Sequence, residues 1–219
     1  MLLIDVDGTL VDSVPDLAFC VDAMQHALGF SRHGEAKVRN WVGNGLERLV
    51  KRALTGEMET EPDAALYAKA LPVFYDLYRH NISQRSVLYP GVREGLEYLK
   101  LEGYKLGSVT NKAERFTVPL LGDLGIDQYF SLIVSGDTLE KKKPDPAPLL
   151  YAADQLGVKP ADAMMIGDSI SDVKAARAAD FQIICVSYGY NHGQDIRIAE
   201  PDAIIDSLAQ LRNLLEQAA

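Results

Sequence analysis

The second half of the chain alternates strand-length apolar runs with helical segments, and this alternation constrains the fold more than any other feature. The spacing of apolar residues predicts strands at 104–109, 132–134, 163–166, 182–186 and 203–205, and helices at 93–102, from 113, at 146–156, at 172–179 and after 205. Strands that alternate with helices in this way form βαβ units, which produce a parallel sheet with helices on both faces. An apolar run at residues 1–4 adds one more strand. We therefore predict an α/β fold with a doubly wound, mostly parallel, Rossmann-like sheet.

Residues 14–82 differ from the rest because apolar residues recur there at helical intervals and no segment has the pattern of a strand. Ser13 and Asp16 are predicted to cap the first of these helices, and Pro72 is predicted to kink or split the last one. The pattern predicts two domains. Residues 1-13 and 83-219 form the α/β core, and residues 14-82 form an inserted all-helical cap.

Composition and charge narrow the possible functions. The 219 residues are 47% hydrophobic, which is enough for a core, and 31 acidic against 22 basic residues give a net charge of -9. Such a surface repels nucleic acid and anionic lipid. We expect a cytoplasmic monomer or homodimer that acts on a small anionic molecule, with no nucleic-acid or membrane partner. Cys20 and Cys185 lie in apolar stretches and are predicted to be buried free thiols.

Polar residues stand where the predicted strands end, and ligands of open α/β sheets bind at the carboxyl ends of the strands. The residues concerned are Asp5, Asp7, Thr110, Asn111, Asp168 and Asp172, with Lys143 in the loop after the 132–134 strand. Several carboxylates at close range repel one another and need a cation, and oxygen ligands suit a hard ion such as Mg²⁺. A metal beside a lysine and a hydroxyl group is typical of phosphoryl transfer, in which a carboxylate can act as the nucleophile.

Four segments resemble, in the right order, the motifs of haloacid dehalogenase-like phosphatases: 5–13 (DVDGTLVDS), 108–111 (SVTN), 143–144 (KP) and 167–172 (GDSISD). The resemblance covers essentially the whole chain, including the position of the helical insertion. It implies that Asp5 is the nucleophile and that Asp7 is a general acid that later acts as the base for water. Thr110 and Lys143 would hold the phosphoryl oxygens. By the same resemblance, Mg²⁺ would be bound by Asp5, by the main-chain carbonyl of Asp7 and by Asp168, and Asp172 would support these ligands.

The substrate is expected to be selected by the inserted helices. The segment 41–46 (WVGNGL) places two glycines before a helix, so Gly43 and Asn44 are candidate substrate-binding residues, although the glycines could equally serve a tight turn. Together with 109–112 (VTNK) and 188–193 (YGYNHG), this segment resembles the bacterial phosphoglycolate phosphatases, a subgroup that hydrolyses 2-phosphoglycolate. Asn111 is predicted to contact substrate or to cap the helix that follows it.

Three alternatives remain open at this stage. A sugar-phosphate phosphatase or a β-phosphoglucomutase-like phosphotransferase would share the same motifs. A non-catalytic phosphate- or metal-binding regulator could share the fold, since a fold does not establish a function.

Overall fold

The structure is a computed structural model that describes residues 1–218. Its strands are β1 (Leu2–Ile4), β2 (Val11–Asp12), β3 (Val87–Leu88), β4 (Leu106–Val109), β5 (Leu132–Val134), β6 (Met164–Gly167), β7 (Gln182–Val186) and β8 (Ala203–Ile205). Its α-helices are α1 (Val14–Ala27), α2 (Glu35–Arg39), α3 (Leu46–Thr55), α4 (Ala64–Arg79), α5 (Val92–Leu101), α6 (Glu114–Asp123), α7 (Ala147–Leu156), α8 (Ile170–Ala178) and α9 (Leu211–Ala218).

Six strands form one sheet in the order β5-β4-β1-β6-β7-β8, and every neighbouring pair is parallel. The predicted α/β fold is therefore confirmed, and the sheet is parallel throughout. The first strand lies in the middle, between β4 and β6. This order brings the carboxyl ends of these three strands side by side, at the position where open α/β sheets bind their ligands.

The sheet is covered on both faces, because successive side chains of a strand point in opposite directions. Leu2 and Ile4 of β1 pack into one buried apolar cluster with residues of α5, α6 and α9, whereas Leu3 packs into a second cluster with residues of α7 and α8. Burial of each such side chain contributes roughly 1.5–3 kcal/mol. The short β1 is therefore held by two cores as well as by two neighbouring strands.

Helices α1 to α4 lie between β2 and β3 in the chain. A two-stranded antiparallel ribbon pairs Val11 with Leu88 and Asp12 with Val87, at the two points where the chain enters and leaves the helical segment. This ribbon was not predicted, because two-residue strands carry no detectable periodicity. The division into a core and a cap at residues 13 and 83 stays a prediction.

Two local expectations in the helical segment differ from the structure: the side chains of Ser13 and Asp16 do not cap α1, and Pro72 does not split α4. Ser13 occupies the N-cap position of α1, but its side chain makes no capping hydrogen bond. The buried Asp16 accepts hydrogen bonds from the amides of Arg85 and Ser86 instead, so it fastens the returning chain to α1. Pro72 lies inside α4, and the helix runs unbroken from Ala64 to Arg79; packing against α1 and α3 offsets the missing amide donor.

Both cysteines are free and buried, as predicted. Burial raises the pKa of the Cys20 thiol to about 12, so this thiol is an unreactive part of the core at neutral pH. Among residues 1–218, no helix combines the length and the apolar character that a membrane crossing requires.

Candidate active site

All of the site residues predicted from the sequence line one cavity at the carboxyl edge of the sheet. They are Asp5, Asp7, Gly43, Asn44, Thr110, Asn111, Lys143, Asp168 and Asp172. Carboxylate oxygens of Asp5, Asp168 and Asp172 lie within 4.8 Å of one another. The structure therefore brings together residues that are up to 167 positions apart in the chain, although their roles stay predictions.

Asp5 directly follows β1, and its carboxylate faces the cavity. Its Oδ1 accepts a hydrogen bond from the amide of Val6 at 2.8 Å and lies 3.0 Å from the Nζ of Lys143. Burial raises the pKa of Asp5 to about 6, the Lys143 charge opposes this rise, and the nearby Asp172 adds to it. Since these contacts all involve Oδ1, Oδ2 faces no protein donor among the described residues, and an electrophile can approach it.

Asp168 directly follows β6 and is held by two donors. The Thr9 hydroxyl donates to its Oδ1 at 3.0 Å, and the amide of Tyr190 donates to its Oδ2 at 2.7 Å. Two glycines flank this side chain, and a Cβ atom at Gly8 or at Gly189 would overlap it. Burial, followed by the charges of Asp172 and Asp5, raises the pKa of Asp168 well above its usual range.

Asp172 has two structural functions that sequence alone shows only in part. It is the third residue of α8 and forms a capping box with Ser169, so its Oδ2 accepts hydrogen bonds from the Ser169 amide and hydroxyl. Its Oδ1 lies 2.7 Å from the Nζ of Lys143. Asp172 thus anchors Lys143, the lysine that contacts Asp5. Both carboxylate oxygens of Asp172 accept hydrogen bonds from the protein.

Lys143 is buried, and its ammonium group lies within hydrogen-bond distance of three acceptors. Besides the two carboxylates, its Nζ donates to the main-chain carbonyl of Val109 at 2.7 Å. Burial alone would lower the pKa of Lys143, but Asp172 and Asp5 outweigh that effect and raise it. The ammonium group is therefore held in its charged form at the centre of the acidic cluster.

The acidic cluster fits a divalent cation. The carboxylates of Asp168 and Asp172 are buried and that of Asp5 is partly buried, and the Lys143 ammonium contacts Asp5 and Asp172. Desolvation and mutual repulsion raise the pKa of Asp5 and of Asp168. A cation among them would relieve this cost, and a set of oxygen donors suits a hard ion. Asp172 accepts three hydrogen bonds, one of them from the Lys143 ammonium, whereas each oxygen of Asp168 accepts a single bond from a neutral donor. Asp168 and the Oδ2 of Asp5 therefore keep more acceptor capacity for a cation than Asp172 does.

Asp7 has a partner that the sequence analysis did not assign. The Nζ of Lys112 lies 3.0 and 2.9 Å from the two carboxylate oxygens of Asp7, and Lys112 is itself buried. Its ammonium group also lies 4.9 Å from the centroid of the Tyr78 ring in α4. The sequence signal for this contact is that Lys112 is a basic residue three positions after β4, at the edge of the sheet that carries the acidic residues.

Thr110 and Asn111 form the turn after β4. The Thr110 hydroxyl is buried and accepts a hydrogen bond from the amide of Lys112 at 3.2 Å. Asn111 donates through Nδ2 to the main-chain carbonyl of Lys143 at 2.9 Å, which ties the two loops together. Asn111 is not a helix cap, because α6 begins after Ala113.

The turn before α3 forms another part of the cavity lining. Gly43, Asn44 and Gly45 all have positive φ values, of 118, 64 and 93°, a conformation that glycine and asparagine tolerate best. The buried Arg52 of α3 holds this turn by donating to the carbonyl of Trp41 at 2.7 Å and to Asn44 Oδ1 at 3.0 Å. The residues that form this turn therefore also line the cavity.

The lining also includes polar and aromatic residues to which no role was assigned, among them Ser169, Ser171, Tyr190 and His192. Asn44 reaches Ser171 of α8 at 3.5 Å, and His192 lies beside Gly43, so residues of 14–82 and of 83–218 meet around the cavity. Tyr190 and His192 belong to the segment 188–193, which carries part of the sequence resemblance, but no role was predicted for their side chains.

Comparison with known proteins agrees with this architecture. Residues 2–186 match the model of the haloacid dehalogenase-like hydrolase family, and the chain belongs to this family. A phosphoglycolate phosphatase from Nitrosococcus oceani is 64% identical over 219 residues, which cover 100% of this chain and 97% of that protein. A phosphoglycolate phosphatase from Thiobacillus denitrificans is 46% identical over 217 residues, or 99% and 96% of the two chains.

Among solved structures, a predicted phosphoglycolate phosphatase from Haemophilus somnus 129PT superposes with a TM-score of 0.93 at 35% identity, and the match covers 98% of this chain and 97% of that one. The resemblance inferred from the four motifs is confirmed.

Proposed function

We propose that this protein is a magnesium-dependent phosphatase that hydrolyses 2-phosphoglycolate to glycolate and phosphate through an aspartyl-phosphate on Asp5. The observation that carries the chemistry is the contact between Asp5 and Lys143 inside a cavity that also holds Asp168. The high identity to phosphoglycolate phosphatases over full length supports the substrate. A cytoplasmic location and a monomeric or homodimeric state stay predictions from the sequence.

Mg²⁺ would be held by Asp5, by the main-chain carbonyl of Asp7 and by Asp168. When bound, the ion would neutralise charge on the phosphoryl oxygens and on the carboxylates around it. Thr9 and Tyr190 orient the Asp168 carboxylate, and partners of this kind set the orientation of a ligand.

In the first step, an oxygen of Asp5 attacks phosphorus while the bond between phosphorus and the glycolate oxygen breaks. Thr110 and Lys143 hold the phosphoryl oxygens, and Lys143 exchanges its contact with Asp5 for one with a phosphoryl oxygen as that carboxylate attacks. Protonated Asp7 gives its proton to the departing oxygen, so glycolate leaves as an alcohol.

In the second step, Asp7 is a carboxylate and accepts a proton from a water molecule. The water oxygen attacks phosphorus, the bond to Asp5 breaks, and inorganic phosphate and free Asp5 result. Lys112 fixes the position of the Asp7 carboxylate through two contacts, so that one side chain can serve both steps.

The inserted segment would contribute to specificity. Gly43 and Asn44 of the turn before α3 face the same cavity as Asp5, so they can contact the part of the substrate that is not phosphate. The domain division at residues 14-82 is part of this proposal.

The test is phosphate release from 2-phosphoglycolate, measured beside sugar phosphates and an aryl phosphate, with and without Mg²⁺. We expect the highest kcat/KM for 2-phosphoglycolate, and no turnover by Asp5→Asn. The matched control is Asp154→Asn, which changes an exposed aspartate on α7 and should be fully active.

A higher kcat/KM for a sugar phosphate would contradict the proposed substrate. Transfer of phosphate to a sugar would identify a phosphotransferase, and binding of phosphate without any turnover would identify a regulator.

A further inference from the structure

Three of the residues that line the cavity can carry a positive charge: Lys112, Lys143 and His192. The two lysines are already paired with catalytic carboxylates. Lys112 lies 3.0 and 2.9 Å from the oxygens of Asp7, and Lys143 lies 3.0 Å from Asp5. Over residues 1–218, His192 forms no ion pair with a carboxylate. It is therefore the basic group of the lining that a second anionic group can reach.

The ring of His192 has a defined orientation. Its Nδ1 lies 3.0 Å from the main-chain carbonyl of Asn40, and since a carbonyl can only accept, Nδ1 carries a proton. The opposite edge faces Gly43, where a Cβ atom would lie 3.1 Å from Cε1 and 3.4 Å from Nε2. Glycine thus allows this edge to lie against the turn before α3. The Nε2 atom is a hydrogen-bond donor when the ring is charged.

The surroundings of His192 favour an anion. The pKa of His192 is lowered, mainly by burial and also by the positive charge of Arg52. The Asn40 carbonyl and the charge of Glu59 act in the opposite direction but do not outweigh these effects. The buried Arg52 is held behind the turn by main-chain carbonyls. A carboxylate beside Nε2 would interact favourably with both positive groups and would stabilise the charged imidazole.

We infer that His192 binds the carboxylate of the substrate through its Nε2–H group and so selects phosphate esters that carry a carboxylate at the end opposite the phosphate. This inference rests on the proposed function and assigns the residue that recognises the non-phosphate end. The residue comes from the segment after β7, and not from the inserted helices in which the sequence analysis sought it.

The experiment compares two substrates of similar size that differ in charge at this end, 2-phosphoglycolate and 2-hydroxyethyl phosphate. His192→Asn should lower kcat/KM for 2-phosphoglycolate about 10- to 100-fold, the effect of losing a hydrogen bond to a charged group, with most of the loss in KM. The kcat/KM for 2-hydroxyethyl phosphate should change less than about twofold, since its hydroxyl is uncharged. An asparagine amide can take the position of Nδ1 and donate to the Asn40 carbonyl but does not reach the position of Nε2, and asparagine tolerates the positive φ of this residue, so the turn is preserved.

His80→Asn is the matched control, because His80 also bonds a main-chain carbonyl through Nδ1 but is exposed and outside the cavity lining. It should leave the kinetics of both substrates unaffected. Equal losses for the two substrates in His192→Asn would indicate a structural role in the turn and would overturn the inference, as would an unchanged KM for 2-phosphoglycolate.

The two proposals fail in different ways. If the wild type releases phosphate from 2-phosphoglycolate in an Asp5-dependent reaction but His192→Asn keeps the same preference, only the role of His192 is wrong. If the wild type prefers 2-hydroxyethyl phosphate or sugar phosphates, the proposed substrate is wrong, and the role of His192 falls with it.

Discussion

Replacement of Asp5 by asparagine should abolish turnover and, in the absence of metal, stabilise the protein at neutral pH. The amide cannot attack phosphorus, which explains the loss of turnover. The gain in stability follows from burial, because the Asp5 carboxylate is ionised in a site where burial and Asp172 raise its pKa from 3.8 to about 6. Asparagine has nearly the same shape and carries no charge.

The magnitude follows from linkage between protonation and folding. Between pH 3.8 and about 6 the folded state binds more protons at Asp5 than the unfolded state does, so the free energy of unfolding falls as pH rises through this window. A shift of about two pKa units at 1.36 kcal/mol each sets an upper limit of about 3 kcal/mol on the cost at pH 7.5. Loss of the Lys143 contact offsets part of the gain. We therefore expect the advantage of Asp5→Asn over wild type to be about 1–3 kcal/mol larger at pH 7.5 than at pH 4.5.

The assay is urea unfolding of both proteins in a chelator at the two pH values. Asp154→Asn, at an exposed position of α7, should differ from wild type by less than about 0.5 kcal/mol at both. The difference in free energy of unfolding between Asp5→Asn and wild type is compared at the two pH values. If this difference is the same at pH 7.5 and at pH 4.5, whether the variant is more or less stable, the ionised Asp5 carboxylate does not destabilise the folded state. Turnover by the variant would refute the nucleophile.

Three further outcomes are expected. Chelation should stop phosphate release and Mg²⁺ should restore it, with Asp168→Ala requiring about 10- to 100-fold more Mg²⁺ for half-maximal activity; normal turnover by metal-free protein would contradict this. Gly189→Ala should also raise the Mg²⁺ requirement, because the new Cβ atom would displace the Asp168 side chain, whereas Gly122→Ala in α6 has open space and should not. Asp7→Asn should slow aspartyl-phosphate formation from 2-phosphoglycolate about 10²- to 10⁴-fold and less from an aryl phosphate, whose leaving group needs no proton; equal losses in single-turnover measurements, with chemistry rate-limiting, would remove the general acid from Asp7.

Much of the fold could be predicted from the chain because its signals are local. Apolar runs and helical spacing located β1, β5 and β7 within a residue, since each element buries a face that leaves a periodic pattern. The signals failed where the element was too short, as in the β2–β3 ribbon, or where packing overrides local preference, as at Pro72 inside α4.

The candidate site was predictable to the extent that it follows strand ends. Asp5, Thr110 and Asp168 each stand directly after a strand, and parallel strands place such residues at one edge of the sheet. The partners of these residues were harder to find. Tyr190 holds Asp168 through its main-chain amide, a contact that does not depend on the side chain and therefore leaves no signal in residue type.

The sequence by itself determined the elements and the side chains that stand at their ends, because periodicity and motif spacing are properties of neighbouring residues. Only the tertiary structure decided that β1 lies between β4 and β6, that Lys112 binds Asp7 across 105 residues, and that His192 faces Gly43. These contacts depend on the order of the strands and on the path of the loops between them, which are set when helices pack on the two faces of the sheet. No local pattern in the sequence encodes the distance between segments that meet only in the folded state.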